Sequence, residues 1–150
     1  MNEIVSRNLP DRIQMMLNGS IPPPPIATLI GFTLVSVDPG KAIIELEASE
    51  KHANPMGTLH GGILCDISDA AMGIAYASAL KEGESFTTLE LKINFIKPVW
   101  KARLRAEASV VNGGRTVGLV NCDVFDEQGR LVAQASSTCM TLRGEHAAGR

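Results

Sequence analysis

The chain has 150 residues, of which 45% are apolar and 20% charged. That length suits one domain, and the balance excludes disorder for the bulk of the chain, which needs low hydrophobicity with a large charge imbalance. Fourteen Lys and Arg stand against 16 Asp and Glu, a net charge of −2, so no basic footprint points to nucleic acid.

A membrane span needs about 18 or more consecutive apolar residues. The longest weakly polar stretch, residues 57–80, contains His60, Asp66 and Asp69, so no span is expected. Residues 1–12 lack the basic-then-apolar order of a secretory leader, so a cytoplasmic location is expected. Cys65, Cys122 and Cys139 are odd in number and outside metal-ligand spacing. Neither a disulfide nor a metal site is expected, and all three read as small buried apolar residues.

Residues 3–18 predict a short helix with Ile13, Met16 and Leu17 on one face. Pro22 to Pro25 cannot continue a helix or enter a central strand, and read as an extended connector. Residues 31–38 predict a strand. Asp38-Pro39-Gly40 has turn chemistry. Residues 41–48 then alternate, with Ala42, Ile44, Leu46 and Ala48 facing a core and Lys41, Glu45 and Glu47 facing water.

Residues 61–80 have helical length, with Ile63, Ile67, Ala70, Ala71, Ile74 and Ala77 on one broad arc. Most of the remaining positions are also apolar, so the helix must be buried on nearly every side. Asp66 and Asp69 are its only charges. From Ser85 the period becomes two. Leu89, Leu91, Ile93 and Phe95 alternate with Thr88, Glu90, Lys92 and Asn94, until Pro98 ends the strand. Three more strands follow, divided by turns at Asn112-Gly113-Gly114 and residues 126–129. The short turns predict a meander of these four strands.

The sum is an α+β domain in which one long central helix is wrapped by a curved antiparallel sheet of about six strands. The expected division is an arm and proline connector over 1–27, the domain over 28–142 and a flexible tail over 143–150. One sheet cannot cover every side of so apolar a helix, so a homo-oligomer is expected.

A stretch with three glycines, residues 52–62, leads into that helix. The first N–H groups of a helix lack intrahelical acceptors and carry the positive end of its dipole. Gly61 and Gly62 have no Cβ, so a ligand can come close to those groups. Asp69 lies about two turns further on. Polarising N–H groups with a carboxylate base suit hydrolysis of an activated ester.

Asn54-Pro55-Met56-Gly57-Thr58-Leu59-His60-Gly61-Gly62, then Asp69, with the long helix and the following strands, resembles the hot-dog-fold acyl-CoA thioesterases, in particular their phenylacetate-pathway (PaaI-like) subgroup. The resemblance covers residues 28–142. It implies that Asp69 is the general base or nucleophile and that the Gly61 N–H polarises the thioester carbonyl. It implies that Asn54 helps hold the thioester or the water, that Thr88 orients the water, and that His60 supports the site geometry. Gly62 and the turn Gly113-Gly114-Arg115 would contact substrate, with Arg115 near the CoA phosphates. The site would lie between subunits of a dimer, or of a tetramer built as a dimer of dimers. The implied partner is an acyl-CoA substrate; no metal or other cofactor is implied, and no nucleic acid or membrane. A related aryl-CoA branch has Thr or Ser four residues after the acid, where this chain has Gly73. The alternatives are a hot-dog hydratase or dehydratase, whose His-acid spacing is not found here, and a non-catalytic acyl-CoA-binding protein. The latter would need an output segment, and residues 1–27 offer only Arg7 and Arg12 as basic side chains.

Overall fold

A helix with apolar residues all round needs a surface to lie on, and alternating strands supply one. The computed structural model describes residues 8–150. In chain order they form α1 (Leu9–Leu17), α2 (Pro25–Ile30), β1 (Phe32–Asp38), β2 (Lys41–Ala48), α3 (Gly61–Ala77), β3 (Ser85–Phe95), β4 (Ala102–Gly113), β5 (Val117–Phe125) and β6 (Leu131–Leu142). The strands make one antiparallel sheet in the order β1-β2-β4-β5-β6-β3, with α3 on its inner face. This is the α+β architecture expected.

The four-strand meander is corrected: β3 pairs with β6 and not with β4. The stretch between β3 and β4 contains Pro98 and is too long for a tight hairpin. The Ile96 and Lys97 N–H groups both donate to Val132 O, at 2.9 and 3.2 Å, beside β6. The Leu59 N–H then donates to Val99 O at 2.7 Å. The connection therefore crosses the N-terminal end of α3 and enters the sheet beside β2.

Two helical expectations also change. The proline run is extended through Pro24, but Pro25 opens α2, because a first-turn proline gives up no helical hydrogen bond. Gly31, placed in the first strand from sequence, instead ends α2 at φ 94°. Of the expected 3–18 helix, residues 3–7 and the basic Arg7 lie outside the described residues. The remainder is α1, with Ile13 buried and Met16 and Leu17 packed against the core.

The buried stripe of α3 is rotated from the expected arc. Leu64, Ile67, Ser68, Ala71, Met72 and Ala75 are buried, whereas Ile63, Ala70 and Ile74 are only partly so. Small residues let the helix settle close to the sheet, and the larger isoleucines flank the contact. The helix stops at Ala77 rather than residue 80. There the Ser78 hydroxyl accepts from the Gly40 N–H at 2.9 Å and donates to Ala75 O at 2.8 Å, tying the helix end to the β1–β2 turn.

Ile44, Leu46, Leu104, Val120, Val124 and Val132 fill the sheet side of the core. On the outer face Glu45 and Glu47 pair across strands with Arg105 and Arg103, at 3.2 and 2.6 Å. Residues 144–147 form a 3-10 turn with no buried residue. No helix among the described residues is long and apolar enough to cross a membrane.

The closeness of α3 to the sheet gives a test at Gly118, where an added Cβ would run into the Tyr76 ring. Gly118→Ala is expected to cost about 1–3 kcal/mol, seen as a lower melting temperature. An unchanged melting temperature would mean that α3 is not pressed against β5 there.

Candidate active site

The loop before α3 is fixed from its base upward. His52 is buried; its Nδ1 accepts from the Ser49 N–H at 3.1 Å and its Nε2–H donates to Ile30 O at 2.8 Å. Its carbonyl accepts from the His60 N–H at 2.9 Å, which closes the loop. Ala53 and Leu59 bridge inside that closure. The Asn54 N–H donates to Thr58 O at 2.7 Å, and Gly57, at φ 85°, makes the bend. Sequence reasoning gave His52 no role. Its signal was its place three residues after Ser49, which forms a capping box with it.

Asn54 is largely engaged by the loop. Its Oδ1 accepts from Met56 and Thr58 N–H groups at 2.9 and 3.2 Å, and Nδ2 donates to Thr58 Oγ1 at 2.7 Å. One Nδ2 hydrogen is left for a ligand. His60 caps α3: its Nδ1 accepts from the Gly62 N–H at 2.9 Å. The Gly62 N–H is thus already engaged, and the expectation that it binds substrate finds no free donor. A Cβ at Gly62 would stand 2.8 Å from His60 Nδ1, so the cap needs glycine there. Gly61, the first helical residue, has no intrahelical acceptor for its N–H. It borders a cleft of about 370 Å³ together with Asn54, Thr58, Leu64 and Phe95.

Asp69 and Thr88 form a second cluster. Asp69 lies on the exposed side of α3, in reach of the influence of Thr88 on β3. Protein packed around the carboxyl strips part of its hydration and raises its pKa; the neighbouring Asp66 charge raises it further, and the Thr88 hydroxyl opposes both. The residue as a whole stays open to solvent in the single chain.

Simple alternation sets Thr88 beside Glu90 on one face. The register instead slips between them, pairing Thr88 with Cys139 and Glu90 with Thr138. This bulge at Leu89 turns Thr88 inward with Phe86, Leu91 and Ile93, while Glu90 points outward to Thr138 at 3.0 Å.

The turn Gly113-Gly114-Arg115 lies near the other end of α3, where Gly118 touches Tyr76. Arg115 is exposed, and its carbonyl accepts from Arg143 Nη2 at 2.6 Å. One chain therefore holds three separate groups: Asn54 with Gly61, Asp69 with Thr88, and the Arg115 turn. Gly61 and Asp69 are eight residues apart on one helix, about 12 Å along its axis. A base and a carbonyl-polarising donor must both come within about 3 Å of the reacting atoms, so these two cannot serve one substrate from one chain.

Cys122 and Cys139 are buried as expected, but Cys65 is half-exposed on the Asp66 side of α3. Burial and the two carboxylates push its thiol pKa up, away from a nucleophilic thiolate. Among the described residues no three His, Cys, Asp or Glu side chains are grouped to hold a metal ion.

Comparison with known proteins identifies the family. The thioesterase superfamily model matches residues 56–133. Human acyl-coenzyme A thioesterase 13 is 32% identical over 111 residues, 71% of this chain and 76% of that protein. The 1,4-dihydroxy-2-naphthoyl-CoA hydrolase of Listeria monocytogenes is 29% identical over 109 residues, 73% of this chain and 89% of that protein. The crystal structure of a phenylacetic acid degradation-related protein from Ralstonia eutropha JMP134 superposes with a TM-score of 0.78 at 32% identity, covering 85% of this chain and 98% of that one. The chain belongs to the thioesterase superfamily, has the hot-dog fold, and is a thioester hydrolase.

Proposed function

We propose that the chain hydrolyses acyl-CoA thioesters to a free acid and CoA, in a site that two copies complete together. The observation that carries this reading is the split on α3: a free donor at Gly61, and a carboxylate at Asp69 too far along the same helix to meet it. The names of the human and Listeria relatives support the CoA ester as substrate.

The open edge of β3 supplies the joint. It is 11 residues long and ends the sheet, so its outer N–H and C=O groups lack a strand partner. Two such edges paired antiparallel about an axis near the middle of β3 would bring the Thr88 half of one strand toward the Phe95 end of the other, and so Asp69 of one copy toward Gly61 of the other, since Phe95 lies against Gly61. Arg115, exposed on the turn near the far end of α3, carries a guanidinium that suits CoA phosphates. The exposed Val111, Val117 and Leu119 offer an outer surface for joining two dimers into a tetramer.

In the reaction the Gly61 N–H, with the remaining Asn54 hydrogen, donates to the thioester oxygen as negative charge grows there. Asp69 takes a proton from a water held beside Thr88. The water oxygen bonds to the carbonyl carbon, the C–S bond breaks as the intermediate collapses, and the proton passes to the departing sulfur. A carboxylate with a raised pKa is a better base than an ordinary one. Carboxylate, hydroxyl and amide suffice, so no metal or other cofactor is required.

Asp69→Asn is expected to lower kcat roughly 10²–10⁴-fold in a thiol-release assay. Its melting temperature at neutral pH should not fall. With a folded-state pKa above the unfolded one, Asp69 costs stability as pH rises through the interval between them, so removing its charge relieves that cost. Full activity in this variant would sink the assignment.

The pH profile gives a second check. The acidic limb of kcat/KM should lie above the ordinary aspartate range, since the base works only when ionised. Asp66→Asn should move that limb to lower pH by removing a repelling charge. A limb unmoved by this change would detach Asp69 from it.

Mixing Asp69→Asn with Asn54→Ala chains tests the shared site. Two inactive variants should recover about a quarter of wild-type activity, because half the dimers are mixed and each has one intact site of two. No recovery in verified mixed dimers would place the whole site within one chain.

A further inference from the structure

Phe95 is 57% exposed at the end of β3, although it lies on the helix-facing side of that strand. Its ring tip rests on the start of α3: a Cβ at Gly61 would stand 2.8 Å from Cζ and 3.1 Å from Cε1. Glycine at 61 is what allows the ring this close to the free N–H. Beyond the ring the cleft continues along Leu59, Leu64, Pro98 and Val99, a mostly apolar lining with Asn54, Thr58 and Lys97 as its polar members. Its volume, about 370 Å³, lies toward the lower end of the roughly 300–1,000 Å³ of ligand clefts.

We infer that Phe95 is a specificity-determining residue: its ring is the wall against which the acyl group of the thioester packs, and it favours compact acyl groups over long chains. The inference rests on the hydrolase reading above. A thioester oxygen held at the Gly61 N–H puts the carbonyl carbon one bond away, and the first acyl carbons one or two bonds further. These atoms have to pass a ring already in contact with Gly61. An acyl group covering that ring would remove exposed aromatic surface from water, while a long chain would have to leave the cleft past it.

The test compares wild type, Phe95→Ala and Phe95→Leu on butyryl-, octanoyl-, dodecanoyl- and phenylacetyl-CoA by thiol release, with the mass of each assembly from light scattering. Wild type should prefer the compact esters. Phe95→Ala should raise the dodecanoyl-to-butyryl ratio of kcat/KM by about tenfold or more, the scale on which a methylene-sized change in a pocket discriminates. Phe95→Leu should lie between the two. Rates that change by the same factor for every ester overturn the inference. So does loss of the assembly with a parallel loss of all activities in both variants, which assigns Phe95 to the contact between copies. Wild type inactive on every ester overturns the hydrolase reading along with it; wild type active, with variant profiles parallel to its own, overturns only the role of Phe95.

Discussion

The close seating of α3 on the sheet is the contact from which the rest of the molecule takes its positions. Ser68, Ala71 and Ala75 bring the helix down onto the strands, and at Gly118 the approach leaves no room for a Cβ under Tyr76. Once that axis is fixed, the helix acts as a ruler. Its first residue holds a donor at one end of the sheet, and its ninth holds a carboxylate on the side turned away from it. A rigid helix carries such groups with less freedom than a loop. The same rigidity keeps the two groups from meeting at one reacting carbonyl, which is the ground of the proposed two-copy site.

Thr88 shows how one irregularity serves chemistry. On a regular strand it would share the outer face with Glu90, away from the Asp69 carboxyl. The extra residue at Leu89 changes the parity of the strand once, so Phe86 and Thr88 before it and Leu91 and Ile93 after it all face the helix. The bulge lies on an edge strand, where breaking a ladder costs least. The hydroxyl it delivers opposes the effects of burial and of Asp66 on the Asp69 pKa. The carboxylate is thus more basic than a free aspartate, though less so than burial and Asp66 alone would make it.

Much of this was legible in the residues. Alternation along Lys41–Ala48 gave that strand with its observed limits, and the apolar stretch after His60 gave the helix from its first residue. What alternation cannot record is a change of parity, so the side on which Thr88 stands was out of reach. Strand order was missed for a related reason. The pattern marks where a strand lies but not which edge it joins, and only the crossing of residues 96–101 over the helix start separates β3 from β4. The α3 arc was misplaced because a helix apolar on all sides has no contrast to show which apolar face meets the sheet. Gly61, Asn54 and Asp69 were singled out as candidates through the motif as a whole. Singly, each is a residue type with ordinary structural uses.

The loop before α3 explains why so few donors suffice. His52 anchors its base to Ile30 and Ser49, Asn54 ties its bend to Met56 and Thr58, and His60 takes the Gly62 N–H. Each polar group satisfied inside the loop is one less that must be reoriented when charge appears on a substrate oxygen. What remains is the Gly61 N–H and one hydrogen of Asn54, held by a backbone that has already given up its freedom. Donors fixed in advance stabilise developing charge without reorganisation at the moment of reaction. On the proposed mechanism, His52 and His60 would act on the reaction through the fixed direction of the Gly61 N–H, without either ring reaching the bond that breaks.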